Sequence, residues 1–275
     1  MYYLYGYDYI LKTLNSFLST KGYDYDLNHP ILIDKYNYFL LQNSVFDRPI
    51  SWSNCLIVPF SDLAQFASKY YIDQKKKFKE DSIQLLERLQ NNFFYYAFIE
   101  LNSIESDLFN LCHFLIKLIV TSQLNTYTNG TTNETLGLSI FNFKDNFTRQ
   151  DFIELIIHQL THMLYFIADR TELQMSEENK QVMIPTNYKF VLGGRAFPAY
   201  LAFHSFVVAV EVLKFRHVSN TLNITSEYHG SSTRIKNIIL DLQIQLLKHD
   251  QLFTKHGRKI LYDNIEYAQL LTNLV

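Results

Sequence analysis

Two histidines four residues apart, His158 and His162, stand in the apolar run IELIIHQLTH (153–162). On an α-helix, residues i and i+4 lie one above the other on the same face, so both imidazoles can be offered to one divalent ion. Zn²⁺ or Fe²⁺ then needs a third protein ligand and a position left open for chemistry. Downstream candidates are His204, in YLAFHSFVVAVE, and Glu211, two turns further on nearly the same face. Glu154, one turn before His158, is placed either to orient that imidazole from behind or to face solvent. The competing reading is a set of hydrogen-bonded core histidines, since HxxxH also arises by chance.

Gln159, directly after the first histidine, occupies the catalytic position and decides between chemistries. In an HExxH metalloprotease a glutamate there takes a proton from metal-bound water. Glutamine is nearly isosteric but accepts no proton at neutral pH, so a hydrolase would lose its general base. An oxygenase does not need that base. Its metal handles electrons and O₂, and a chelating co-substrate such as 2-oxoglutarate fills open positions, with a cation for the distal carboxylate.

The elements that must position these residues are mostly helical. Helices are expected over Tyr9–Leu18, from a Ser61/Asp62 cap to about Tyr71, over Asp73–Leu101, and over Glu105–Ser122, which is apolar all round. Residues 21–60 read as irregular. After a polar loop at Asn125–Thr135, LGLSIFNF (Leu136–Phe143) is the best strand candidate. Thr148 then suits an N-cap, with Asp151 in the first turn of a helix running to about Ala168. Residues 171–195 read as a loop. A helix over Phe197–Arg216 carries Pro198 in its first turn, where proline is tolerated. Helices over Ser232–His249 and Phe253–Leu271 close the chain, with an interruption near Lys255–Gly257. The expected fold is mainly α: one domain over 1–275, with a helical part at 1–124, a metal-site part at 125–275, and a small β element beside the HxxxH helix.

Composition supports this and removes other classes. Only 8 Gly and 5 Pro in 275 residues disfavour a turn-rich β-sandwich, and 48% hydrophobic residues allow a sizeable core. A net charge of −2 gives no general attraction to nucleic acid or anionic lipid. The one dense basic run, KKKFK (75–79), is followed at once by Glu80 and Asp81 and reads as a solvated helix start. Cys55 and Cys112 form no CxxC pair, which fits a reducing, cytoplasmic compartment, and no apolar run makes a convincing membrane span. Nothing in the sequence speaks to oligomeric state.

Over residues 125–260 the order of short motifs resembles the HExxH-type peptide β-hydroxylases, tailoring enzymes of ribosomally made peptides associated with iron and 2-oxoglutarate. The residues that carry the resemblance are Leu136–Gly137 after NGTTNET, His158 and His162, Arg195 and Pro198 leading to His204, and Phe253–Thr254 with Gly257. Gln159 departs from the family's glutamate, and PTNYKFVLGGR stands where a Trp-Arg segment is associated with members. The resemblance implies an Fe(II)/2-oxoglutarate-dependent dioxygenase that hydroxylates a β-carbon in a ribosomally made precursor peptide. It implies His158, His162 and His204 as iron ligands. Arg195, with Arg234 as a second candidate, would pair a co-substrate carboxylate, a job suited to a planar guanidinium. The backbone of Leu136, Gly137, Leu138, Ser139 and Ile140 would dock the peptide as an added strand. Two other readings stay open: a gluzincin-like zinc hydrolase with Glu211 as third ligand, and a catalytically inactive relative that binds peptide.

Overall fold

The computed structural model describes residues 1–48, 55–74, 94–122, 130–144, 146–187 and 196–273. Arg195, the basic run at 75–79 and most of the helix expected over Asp73–Leu101 lie outside these residues.

The fold is mainly helical with a small sheet. In chain order the described elements include α1 (Tyr2–Tyr5), α2 (Tyr7–Ser19), α3 (His29–Asn43), β1 (Leu56–Pro59), α4 (Ser68–Gln74), α5 (Tyr95–Ile104), α6 (Ser106–Leu115), β2 (Leu118–Ser122) and β3 (Leu138–Asn142). They continue with α7 (Arg149–Thr171), α8 (Glu177–Lys180), β4 (Met183–Pro185), β5 (Ala196–Pro198), α9 (Ala199–Val218), α10 (Ser232–Lys248) and α11 (Lys255–Asn273). Among the described residues no helix is long and apolar enough to cross a membrane.

Three strands form a parallel sheet in the order β1-β2-β3, with Leu56 opposite Leu118 and Leu118 opposite Leu138. Two of these strands differ from expectation. The apolar run Glu105–Ser122 is not one helix: it breaks at Ile116, whose backbone is extended (φ −95°, ψ 104°), and continues as β2. A central parallel strand is covered on both faces, so it reads as a continuous apolar run and shows no alternation. The segment 21–60 is not irregular either. It holds α3, which accepts Pro30 in its first turn and buries Leu32, Tyr36, Phe39 and Leu40. It also holds β1, which pairs with β2. The helix expected to run to Tyr71 is a 3₁₀ turn (Phe60–Gln65) followed by α4.

The HxxxH helix is as expected. Thr148 caps α7: its Oγ accepts the Asp151 N–H, and the Asp151 carboxylate accepts the Thr148 N–H at 2.8 Å, a reciprocal capping box. A short link from β3 feeds this helix into the centre of the molecule, where it packs against α2, α5, α6 and α9. The polar stretch after it is partly ordered into α8 and the β4–β5 antiparallel pair. Pro198 ends β5 and precedes α9, so that helix begins one residue after the proline. The break between the last two helices falls at 249–254, where Thr254 Oγ accepts the Gly257 N–H at 3.0 Å and caps α11.

Candidate metal centre

From Gln150 to Asp169, every residue of α7 is buried except His158 and His162. Within this stretch the two histidines are the residues that keep partial exposure. Their rings lie one turn apart with planes tilted at 60°, and His158 Nε2 lies 3.0 Å from His162 Nε2.

The pair belongs to a longer series. His158 Nδ1 lies 3.0 Å from His229 Nε2, and His229 Nδ1 is 2.9 Å from Glu154 Oε2. On the other side, His162 Nδ1 lies 3.0 Å from His204 Nδ1. Glu154 is fully buried and gripped by Arg216, with Nε donating to Oε1 at 2.7 Å and Nη2 to Oε2 at 2.9 Å. Burial alone would raise the Glu154 pKa. The hydrogen bonds and charges of His229 and Arg216 overcome it and hold the carboxyl at about 2.

That fixed carboxylate only accepts, so His229 donates to it from Nδ1. At the far end of the series His204 Nε2 is buried and has no hydrogen-bond partner among the described residues. Burial pushes the pKa of His158, His162 and His204 down, with neighbouring imidazoles adding to the effect at His158 and His204, and His162 sits at about 4. These rings are neutral near pH 7, the form in which imidazole binds a metal.

The expected site residues fall out unevenly. His158, His162 and His204 are brought into contact, but His204 meets His162 on Nδ1, away from the Nε2 pair. His204 is buried in an aromatic pocket of Tyr165, Phe166 and Tyr200. Among the described residues no three His, Cys, Asp or Glu side chains form an assembled ion-holding set. The His158–His162 pair offers two nitrogens, and the third ligand that Zn²⁺ or Fe²⁺ needs is not assembled among the described residues. Glu211 is not available as a ligand: it is buried in an ion pair with the Met1 ammonium, and its Oε2 accepts the Tyr3 N–H at 3.2 Å. Gln159 is buried, and neither atom of its amide has a hydrogen-bond partner among the described residues. Arg234 is exposed in the first turn of α10, its side chain lying over Gly230.

The strand edge expected to dock a peptide is not open. Leu136, Leu138, Ser139 and Ile140 are buried, and Gly137 adopts φ +83° to enter the strand. Ile140 exchanges both backbone hydrogen bonds with Gly130, and the Leu138 carbonyl accepts Thr131 Oγ at 2.7 Å. His229, at the heart of the polar series, was not legible in sequence. It lies in a polar turn, SEYHGSS, with no spacing that ties it to HxxxH.

No model of a known protein family matches the chain, and no curated protein matches it.

Proposed function

We propose that this chain is an Fe(II)/2-oxoglutarate-dependent oxygenase that hydroxylates a β-carbon in a ribosomally made peptide, with His158 and His162 gripping the ion. The observation that carries the metal is the pair of neutral, half-buried imidazoles with Nε2 atoms 3.0 Å apart on a helix buried from Gln150 to Asp169 at every other residue. His204 stands behind His162, Nδ1 to Nδ1 at 3.0 Å, as His229 stands behind His158.

The choice of oxidation over hydrolysis rests on proton acceptors. A hydrolase needs a free carboxylate beside its metal-bound water. Glu154 is held by Arg216 and His229, Glu211 by the Met1 ammonium, and Gln159 is an amide. When bound, iron with 2-oxoglutarate as electron donor would activate O₂, the oxidant for an unactivated C–H bond, and would ask no general base of the protein. Arg234 is the described guanidinium nearest in sequence to His229, and we assign the co-substrate carboxylate to it or to Arg195, the two arginines that the motif order offers. The peptide substrate and its class come from the motif order over 125–260.

The test is an anaerobic titration of metal-free protein with Fe(II) and 2-oxoglutarate, watching for the visible charge-transfer band of the chelated complex. The band is expected in the wild type and lost in His158→Ala. A folded wild type that shows no band would overturn the oxygenase, and tightly held zinc without a 2-oxoglutarate response would favour a hydrolase.

A further inference from the structure

Arg170, in the last turn of α7, is a charge without a counter-charge. Of the other described arginines, Arg48, Arg234 and Arg258 are exposed to water, Arg149 pairs with Glu100 and Arg216 with Glu154. Arg170 is half-buried and, among the described residues, makes one hydrogen bond, from Nη2 to the Asn133 carbonyl. A guanidinium carries five N–H donors in a flat fork, so most of this one is unspent. Burial disfavours its charge and lowers its pKa, yet arginine keeps its proton in proteins. A partly desolvated charge is normally paired. Here the charged and phenolic groups that act on it are Glu134, which is exposed and makes no ion pair with it, Tyr200 and Tyr36. The Tyr36 hydroxyl is already given to the Leu115 carbonyl.

The neighbours along the helix are apolar. Arg170 continues the i, i+4 row of His158, His162 and Phe166, about 12 Å along the axis from His162. The Phe166 ring lies 6.2 Å from that of His162 and 6.2 Å from that of half-buried Tyr200, which comes from α9. The nearby ammonium of Lys180 is spent on Asp169 at 2.7 Å and Glu177 at 2.8 Å, so it adds no second positive charge. We propose that Arg170 anchors a singly charged organic carboxylate whose apolar body lies against Tyr200 and Phe166, on the side of His162. The planar fork matches the two oxygens of a carboxylate. One guanidinium balances one negative charge, whereas a dianion such as phosphate would lack a second cation and meet the repulsion of Glu134. The site stands without an ion at the histidines and does not rest on the reaction proposed above.

The test titrates the full chain, with no metal added, with hexanoate, its neutral counterpart hexanamide, and inorganic phosphate, by ligand-observed NMR. Hexanoate should bind wild type about tenfold or more tighter than hexanamide, the gain expected of a charge-assisted pair. That margin should shrink as salt is raised, because the site is only half-buried. Arg170→Met should bind hexanoate no better than wild type binds hexanamide. Arg170→Lys keeps the charge without the fork and should fall between the two. No binding of hexanoate, equal binding of acid and amide, or undiminished binding by Arg170→Met would overturn the site and leave Arg170 as a brace on Asn133. Phosphate binding tighter than hexanoate and lost in Arg170→Met would overturn the choice of a carboxylate. Should Arg170→Met not fold, Arg170→Lys, whose ammonium can still reach the Asn133 carbonyl, decides: weaker binding of hexanoate supports the anchor, and unchanged affinity overturns it.

Discussion

Glu154 on α7 and Arg216 on α9 form a two-point ion pair with both side chains fully buried, and the same guanidinium holds the turn that carries His229. Removing one partner of such a pair strands a charge in the interior, which costs about 3–5 kcal/mol. Arg216→Met should lose stability on that order in urea unfolding. The double replacement Glu154→Leu with Arg216→Met should be milder than Arg216→Met alone, because it leaves no unpaired charge. Equal losses in the single and double variants would show that the guanidinium matters for the turn and not for the carboxylate.

Acid should act through the same carboxylate. The folded Glu154 pKa of about 2 lies below the ordinary 4.5, so the folded state binds its proton less readily than the unfolded chain. Its contribution is fully present above about pH 4.5 and is lost as pH falls through the folded value near 2. The stability difference between wild type and Glu154→Gln, measured by denaturant unfolding, should be constant from neutrality to pH 4.5 and shrink below it. A difference that changes instead between pH 7 and 5 would assign the effect to the histidines.

How far these elements could be read from sequence depends on how local their causes are. The α7 helix was legible to its cap, because Thr148 and Asp151 mark its start and the apolar residues fill the rest. β3 was legible for the same reason, bounded by polar segments. β2 was not: LIVTS follows an apolar helix without punctuation, and the choice between strand and helix is made by its neighbours β1 and β3. Of the site, the His158–His162 pair follows from helical spacing alone. The place of His229 depends on Arg216 folding a turn back onto α7 across 62 residues of sequence from Glu154, and no local pattern encodes that. The peptide-docking edge failed because the Gly130–Thr131 segment, itself unremarkable in sequence, returns to cover it.

Gly257 should be intolerant of any side chain. It lies in the first turn of α11, and a Cβ there would run into the backbone carbonyl of Gln174, which also accepts the Thr254 N–H at 2.9 Å. A backbone neighbour pinned by that bond cannot swing aside as a side chain can. Gly257→Ala should cost about 1–3 kcal/mol, the range for overpacking, even though alanine is the better helix former. Thermal unfolding checks this, and a neutral or stabilising result would mean that α11 can shift away from Gln174.

Gln159 offers the sharpest separation of oxygenase from hydrolase. Its amide is buried without a hydrogen-bond partner among the described residues, a condition that usually costs about 1–3 kcal/mol for each unmet group. An apolar side chain of similar size removes that penalty, so Gln159→Met should leave the metal-free protein as stable or more so. Gln159→Glu should do the opposite. A carboxyl in that place has no donor to favour its charge, so burial raises its pKa and it stays protonated near neutrality. A protonated acid cannot serve as general base, so the variant should be less stable than wild type and still fail to hydrolyse peptides when loaded with zinc. Zinc-dependent peptide hydrolysis by Gln159→Glu, with wild type inactive in the same assay, would place the residue against a metal-bound water and overturn the oxygenase in favour of a hydrolase scaffold.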